Sequence, residues 1–136
     1  MNVGKVSENN NNECLKFTRL SDGTLSVSIK EDYKKFVKRI VIPMEYYGFK
    51  VTKIDDSGFW GCDMLEEIVL PESLLYIGTL AFHGCKSLTK ITMPKNIKEI
   101  GSDILYYSSV VEVEFEKTNG RYQYTIHMEI LKVHMR

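Results

Sequence analysis

The sequence predicts a mostly β solenoid, in which short units of similar sequence stack on one another and share one core. Three observations support this prediction: a segment that recurs at a constant spacing, apolar residues that keep the same position in each copy, and alternating apolar and polar residues near both ends of the chain. A single unit cannot bury its apolar side alone, so neighbouring units have to stack to form a continuous core. We expect short helical or irregular segments on the convex side, between the strands of successive units.

The recurring segment is found twice, almost in register, in residues 51–73 and 74–96. Three pairs of equivalent residues are each 23 positions apart: Phe59 and Phe82, Cys62 and Cys85, and Pro71 and Pro94. In the first copy, strand alternation directs Ile68 and Leu70 towards the core and their neighbours outwards. The proline that follows this strand ends it, because proline has no N–H for the ladder.

Two less complete copies flank this pair. A third copy starts at Ile97 and lacks one residue near positions 106–109. An upstream half-copy, residues 37–43, matches residues 65–71, and the connection after it is longer than in the later copies. A period between 20 and 29 residues is typical of leucine-rich-type solenoids, so we place the repeats in residues 37–119.

Both ends of the array are predicted to be closed by β structure. A turn signal and then alternating apolar residues in 22–29 predict an N-terminal β-hairpin, which forms a cap over residues 17–36. Apolar residues alternate again near the C-terminus and predict a terminal capping strand within residues 120–136. Residues 17–136 would then form one domain, preceded by a flexible polar tail, residues 1–16, that contains a run of asparagines.

The composition excludes several classes of partner. Lysine and arginine, 18 together, balance 18 aspartates and glutamates, and no basic block is present that would attract nucleic acid or an anionic membrane. No apolar run approaches the roughly 18 residues of a membrane-spanning helix. The first residues lack the apolar core of a secretory signal, so the sequence shows no address for export.

The repeat pattern is specific enough to suggest a family. Leu-x-x-Ile-x-Leu-Pro, followed by Leu-x-x-Ile-Gly-x-x-Ala-Phe-x-x-Cys, resembles the BspA-like class of leucine-rich repeats from about Leu20 to Phe115. The resemblance implies a leucine-rich-repeat solenoid that binds proteins and is not an enzyme. Members of the class are typically surface or secreted proteins that adhere to host or matrix proteins, which implies an adhesin-like role at the cell surface. Without a visible signal, a cytoplasmic location stays open as well.

No catalytic, cofactor or metal site is predicted. The sequence has no glycine-rich phosphate loop and no nucleophile elbow, and its histidines lack metal-ligand spacing. Cys62 and Cys85 should lie one above the other in successive units. We favour the interpretation that they are small buried side chains, while a disulfide or a shared metal are the alternatives. Cys14, close to the polar tail, is expected to be an ordinary thiol.

The candidate binding surface is the outward side of the stacked strands, with a solvated sheet face as the alternative. By phase, it displays eight side chains: Arg39, Val41, Glu67, Val69, Lys90, Thr92, Glu112 and Glu114. Solenoids use such regular faces as extended binding surfaces, so we expect a protein partner here. The alternative function is a structural scaffold that forms homo-oligomers through its C-terminal strand. Trp60 fits either binding or loop packing, and packing is favoured for the tyrosine pairs at 46–47 and 106–107.

Overall fold

The computed structural model describes residues 11–116, which form ten short strands and two short 3₁₀ segments, Asn11–Cys14 and Glu31–Tyr33. The strands are β1 (Leu15–Arg19), β2 (Leu25–Ile29), β3 (Arg39–Val41), β4 (Glu45–Tyr46), β5 (Phe49–Ile54), β6 (Glu67–Val69), β7 (Tyr76–Ile77), β8 (Lys90–Met93), β9 (Glu99–Ile100) and β10 (Glu112–Phe115). Strands are short because each solenoid turn has to change direction after a few residues.

The first wall of the solenoid is a sheet with the strand order β1-β2-β5-β7-β9, to which β4 adds by pairing with β5. Strand β1 runs antiparallel to β2 and forms the predicted hairpin. Strands β2, β5, β7 and β9 are all parallel, because successive turns of the solenoid pass through this wall in the same direction. The hairpin therefore closes the N-terminal end of this wall.

The second wall consists of strands β3, β6, β8 and β10, one from each turn. Strand β3 pairs with β6 and strand β8 pairs with β10, in both cases parallel and in register. The pairs β3–β6 and β8–β10 differ in spacing: Ile40 faces Ile68 across 28 residues, whereas Ile91 faces Val113 across 22. The second spacing confirms that the third copy is one residue shorter than the 23-residue unit.

The core lies between the two walls and contains the apolar residues that recur in each copy. Phe59 and Phe82 are fully buried and their rings stack with centroids 5.9 Å apart. Leu65 and Leu88 are also fully buried, and Val110 takes the equivalent place in the third copy. Burying one such side chain stabilises the fold by roughly 1.5–3 kcal/mol, so most of the stability comes from contacts between turns.

Consecutive turns approach most closely where a glycine follows the strands of the first wall. A Cβ atom on Gly78 would lie 2.5 Å from the amide nitrogen of Asp56, and one on Gly101 would lie 2.4 Å from that of Thr79. The backbone of one turn thus rests directly on the next. Side chains add to this contact, since the Asp56 carboxylate accepts a hydrogen bond of 2.9 Å from the Thr79 amide.

Two features differ from the sequence-based expectation or extend it. The ordered structure includes residues 11–16, which were assigned to the flexible tail: Cys14 and Leu15 are buried because they pack at the base of the first hairpin strand. The long connection after the half-copy forms a hairpin of β4 and β5. The predicted C-terminal capping strand, residues 120–136, lies outside the described residues.

No helix within residues 11–116 has the length and apolar character required to cross a membrane.

Candidate functional site

The predicted binding surface forms one outward side of the second wall. We call its eight residues the strand face: Arg39, Val41, Glu67, Val69, Lys90, Thr92, Glu112 and Glu114. Each lies on β3, β6, β8 or β10 and alternates with a buried or half-buried residue, as the strand pattern requires. Register places Val41 beside Val69 and Thr92 beside Glu114. The two valines therefore lie on the neighbouring strands β3 and β6, in the first half of the face.

An ion pair crosses the first half of the strand face. The Arg39 Nε atom donates to the Glu67 carboxylate at 2.7 Å. Both side chains are more than half exposed, so the pair contributes little to stability. Its effect is on geometry, since it holds two long side chains in place beside the exposed Val69.

A second charge cluster occupies the other half of the strand face. The Lys90 Nζ atom lies 3.1 Å from one oxygen of Glu114 and 4.0 Å from one of Glu112. The hydrogen bond to Glu114, with the negative charges of Glu114 and Glu112, raises the pKa of Lys90 above its ordinary value. Two carboxylates therefore share one ammonium group, and this half of the face is acidic.

A groove separates the two halves. Within residues 11–116, β6 and β8 lie side by side without forming a ladder, and a groove of about 510 Å³ opens between them. It is lined by strand-face residues and by others that the sequence pattern did not single out: Glu66, Ile68, Leu70, Pro94 and Glu116. Strand phase gave no signal for this groove, because pairing between neighbouring strands depends on backbone placement that the alternation of side chains does not reveal.

Comparison with known protein families identifies the repeat. Residues 52–126 match the model of the BspA type leucine rich repeat region (6 copies), which covers more than half of the 136-residue chain. The chain belongs to the BspA-type leucine-rich repeat family. The fold of this family is typically non-enzymatic. No curated protein sequence matches the chain.

Solved structures of two leucine-rich repeat proteins from other bacteria show the same fold. A leucine-rich repeat protein from Bacteroides capillosus superposes with a TM-score of 0.55 at 22 % identity, over 76 % of this chain and 95 % of that one. A leucine rich cell surface protein from Faecalibacterium prausnitzii gives a TM-score of 0.50 at 14 % identity, over 82 % of this chain and 40 % of that one. At these identities the likeness concerns the fold alone.

The cysteines of the BspA-type repeat are all buried free thiols. Cys62 and Cys85 have no exposed surface, and the Cys85 thiol donates to the Phe59 carbonyl oxygen at 3.2 Å. This is the small buried side chain that the sequence favoured, and the structure contains no disulfide between them. Cys14, expected to be an ordinary thiol, is buried as well.

The described part of the BspA-type chain brings no metal-ligand set together. Within residues 11–116, no group of three or more His, Cys, Asp or Glu side chains is arranged to hold a metal ion. His83 accepts a hydrogen bond from the Trp60 indole and is engaged with aromatic rings. His127 and His134 lie outside the described residues.

Proposed function

We propose that this BspA-type protein is a non-enzymatic interaction module that binds a protein partner through the strand face, in an adhesin-like role at the cell surface. The observation that carries the proposal is the regular outward face of β3, β6, β8 and β10, interrupted at its middle by a groove. Leucine-rich-repeat solenoids use such repeated surfaces to bind partners.

The geometry of the strand face supports this use. Its charged side chains are already held in position by ion pairs, for example Arg39 with Glu67, so fewer rotamers have to be ordered on binding. Val69 is 38 % exposed at the edge of the groove and offers an apolar contact between charged neighbours. A partner would place a side chain in the groove and match the charges on either side.

The adhesin-like part of the proposal has a narrower basis. The solved relative from Faecalibacterium prausnitzii is described as a cell surface protein, and this chain shares its fold. We extend that location to this chain as part of the proposal. A matrix or host surface protein is then the partner to look for first.

The test is a variant that fills the groove without removing any of the ion pairs described. Val69→Arg with Thr92→Arg adds two long side chains, one on each side of the groove. We expect wild-type protein to capture a partner from a pool of matrix and surface proteins. Affinity for the purified partner should fall at least about tenfold in the variant, which corresponds to about 1.4 kcal/mol.

A matched control adds the same two charges outside the strand face. Thr18→Arg with Ser102→Arg places them on exposed positions of β1 and of the convex turn. This control should bind as wild type does. Equal affinity of the groove variant and the wild type would show that the strand face is not the site. Absence of any partner for the wild type would contradict the interaction module itself.

A further inference from the structure

A column of aromatic side chains runs along the solenoid on a different side from the strand face. Trp60, His83 and Tyr106 are 23 residues apart and occupy the same position in three successive turns. The backbone aligns them: the Gly61 amide donates to the His83 carbonyl at 2.8 Å, and the Gly84 amide donates to the Tyr106 carbonyl at 2.9 Å. The column therefore follows from the repeat geometry.

The rings of this column touch one another. The Trp60 and His83 centroids are 5.8 Å apart, and those of His83 and Tyr106 are 5.6 Å apart. Tyr107 adds a fourth ring, 4.3 Å from Tyr106 and 5.5 Å from His83. We call these four residues the aromatic ladder. The Trp60 indole N–H donates to Nδ1 of His83.

Three rings of the aromatic ladder are exposed and His83 is half-buried, although their inner neighbours are buried. Trp60 is 48 % exposed, Tyr106 39 % and Tyr107 66 %, whereas Phe59 and Phe82, one position earlier, are completely buried. The core is filled by the inner column. Leaving large rings in contact with water forgoes burial free energy, so filling the core gives no reason for aromatic residues at the outer position.

Backbone conformation distinguishes the third turn from the two before it. Gly61 and Gly84 have φ of +76°, and in the third turn the equivalent residue is Tyr107, with φ of +57°. A left-handed conformation is unfavourable for a bulky side chain and clusters at functional sites. The third turn keeps a tyrosine where glycine would be free of strain, and its ring joins the ladder.

From this arrangement we propose that the aromatic ladder is a second binding site, which takes an uncharged linear polysaccharide. Pyranose rings present a face of C–H groups that stacks on aromatic rings, and their hydroxyls both donate and accept hydrogen bonds, as tyrosine hydroxyls do. The ladder is a row of rings along three turns and not a closed pocket, so it suits a polymer that lies along it. The site is separate from the strand face.

The charges at the ladder favour an uncharged ligand. Lys34, whose ammonium group lies 5.3 Å from the Trp60 ring centroid, is paired with Glu31 at 2.8 Å. Asp63, which follows Trp60 by three residues, forms an ion pair with Lys35 at 2.9 Å. These positive charges are balanced, so an anionic polymer gains little at this end of the ladder.

Other ligands that bind aromatic residues fit less well. A proline-rich peptide offers carbonyl groups and needs donors from the aromatic groove, but the Trp60 N–H already donates to His83. A quaternary ammonium group needs several ring faces around one point. The rings here form a row along the solenoid and do not surround one point. Lys34 already lies over the Trp60 ring.

The chain carries its own reporter for the test, because Trp60 is its only tryptophan. Tryptophan fluorescence is followed while neutral gluco-, manno- and xylo-oligosaccharides are titrated into the full chain, with calorimetry as the second readout. A polyproline peptide and a sulfated polysaccharide serve as competing classes of ligand. We expect saturable binding of at least one neutral oligosaccharide.

The decisive variant is Tyr107→Gly, which removes one ring and restores the glycine of the other turns. Binding should weaken about tenfold, while the midpoint of thermal unfolding should not fall, because the backbone strain is relieved. Tyr47→Gly is the matched control: Tyr47 is also an exposed tyrosine with positive φ, 51°, but it lies in the β4–β5 turn away from the ladder. It should bind as wild type does.

Three outcomes would overturn the proposal: no neutral oligosaccharide binds, only the polyproline or sulfated ligand binds, or Tyr107→Gly binds as well as wild type. Should Tyr107→Gly unfold early, His83→Ala interrupts the ladder at its middle and is read by calorimetry in the same way. Because the strand face is intact in all these variants, partner capture there is unaffected by either result.

Discussion

The buried thiols show how a repeat position controls the chemistry of a side chain. Cys62 and Cys85 occur at the same position in successive turns, where the core admits only a small side chain. Burial raises the pKa of each from 9.0 to about 12, and that of Cys14 to about 11. The thiolate is the reactive form of cysteine, so these residues behave as apolar side chains and not as a redox site.

We expect all three thiols to be unreactive towards a disulfide reagent in the native protein. Raising the pH from 8 to 9 should not make them reactive. Their pKa values in the folded state lie well above this range, so the thiols stay protonated. In denaturant, all three should react at the rate of a free thiol. Rapid labelling of Cys62 or Cys85 under native conditions would contradict the burial described here.

The short strands depend on close backbone contact more than on strand propensity. Strands β7 and β9 of the first wall have only two residues each, too few to be stable alone. Neighbouring turns hold the strands in place through glycines such as Gly78, where the next backbone leaves no room for a side chain.

Gly78→Ala tests this contact. The added methyl group would meet Asp56 backbone atoms at 2.5 Å, so the two turns would have to separate, with an expected loss of about 2–3 kcal/mol in the free energy of unfolding. Gly23→Ala is the comparison, because its Cβ meets nothing within 4 Å and only its φ of +87° is unfavourable. That change should cost about 1 kcal/mol. Urea titrations measure both, and a smaller effect at Gly78 than at Gly23 would argue against close stacking.

The sequence predicted the strands better than it predicted the candidate sites. Side-chain phase correctly assigned Ile68 to the core and Glu67 to the outside, because the period of a strand is a local property. The β6–β8 groove was not predicted, since it depends on how two turns lie against each other. The spacing of Trp60, His83 and Tyr106 was visible in the sequence, but their contact requires the stacking of three turns.

Residues 11–116 form a stack in which each turn contacts its neighbours, so a turn with a neighbour on both sides is the most important for the stability of this part of the chain. Phe82 lies in such a turn and packs on Phe59 of the previous one. With so few turns, loss of one interface leaves too little buried surface for the rest to stay folded. The described solenoid should therefore unfold as one unit.

Phe82→Ala provides the measurement. The cavity should lower the free energy of unfolding by about 3–5 kcal/mol. Two probes are followed in each protein: Trp60 fluorescence, which reports the convex side, and far-ultraviolet circular dichroism, which reports the strands. Within the wild type, and again within the variant, both probes should change at one urea concentration. Two separate transitions would show that the turns unfold independently.

Residues 51–73 and 74–96 share their core positions, such as Phe59 and Phe82, and this equivalence has a consequence for inheritance. Equivalent turns stack on each other through these shared core positions. An in-frame duplication of residues 74–96 would therefore insert a turn whose core positions match those of the turns on either side. Each insertion would lengthen the strand face and the aromatic ladder together by one step. The gene can therefore vary the reach of both surfaces by recombination, without a new point mutation in the core.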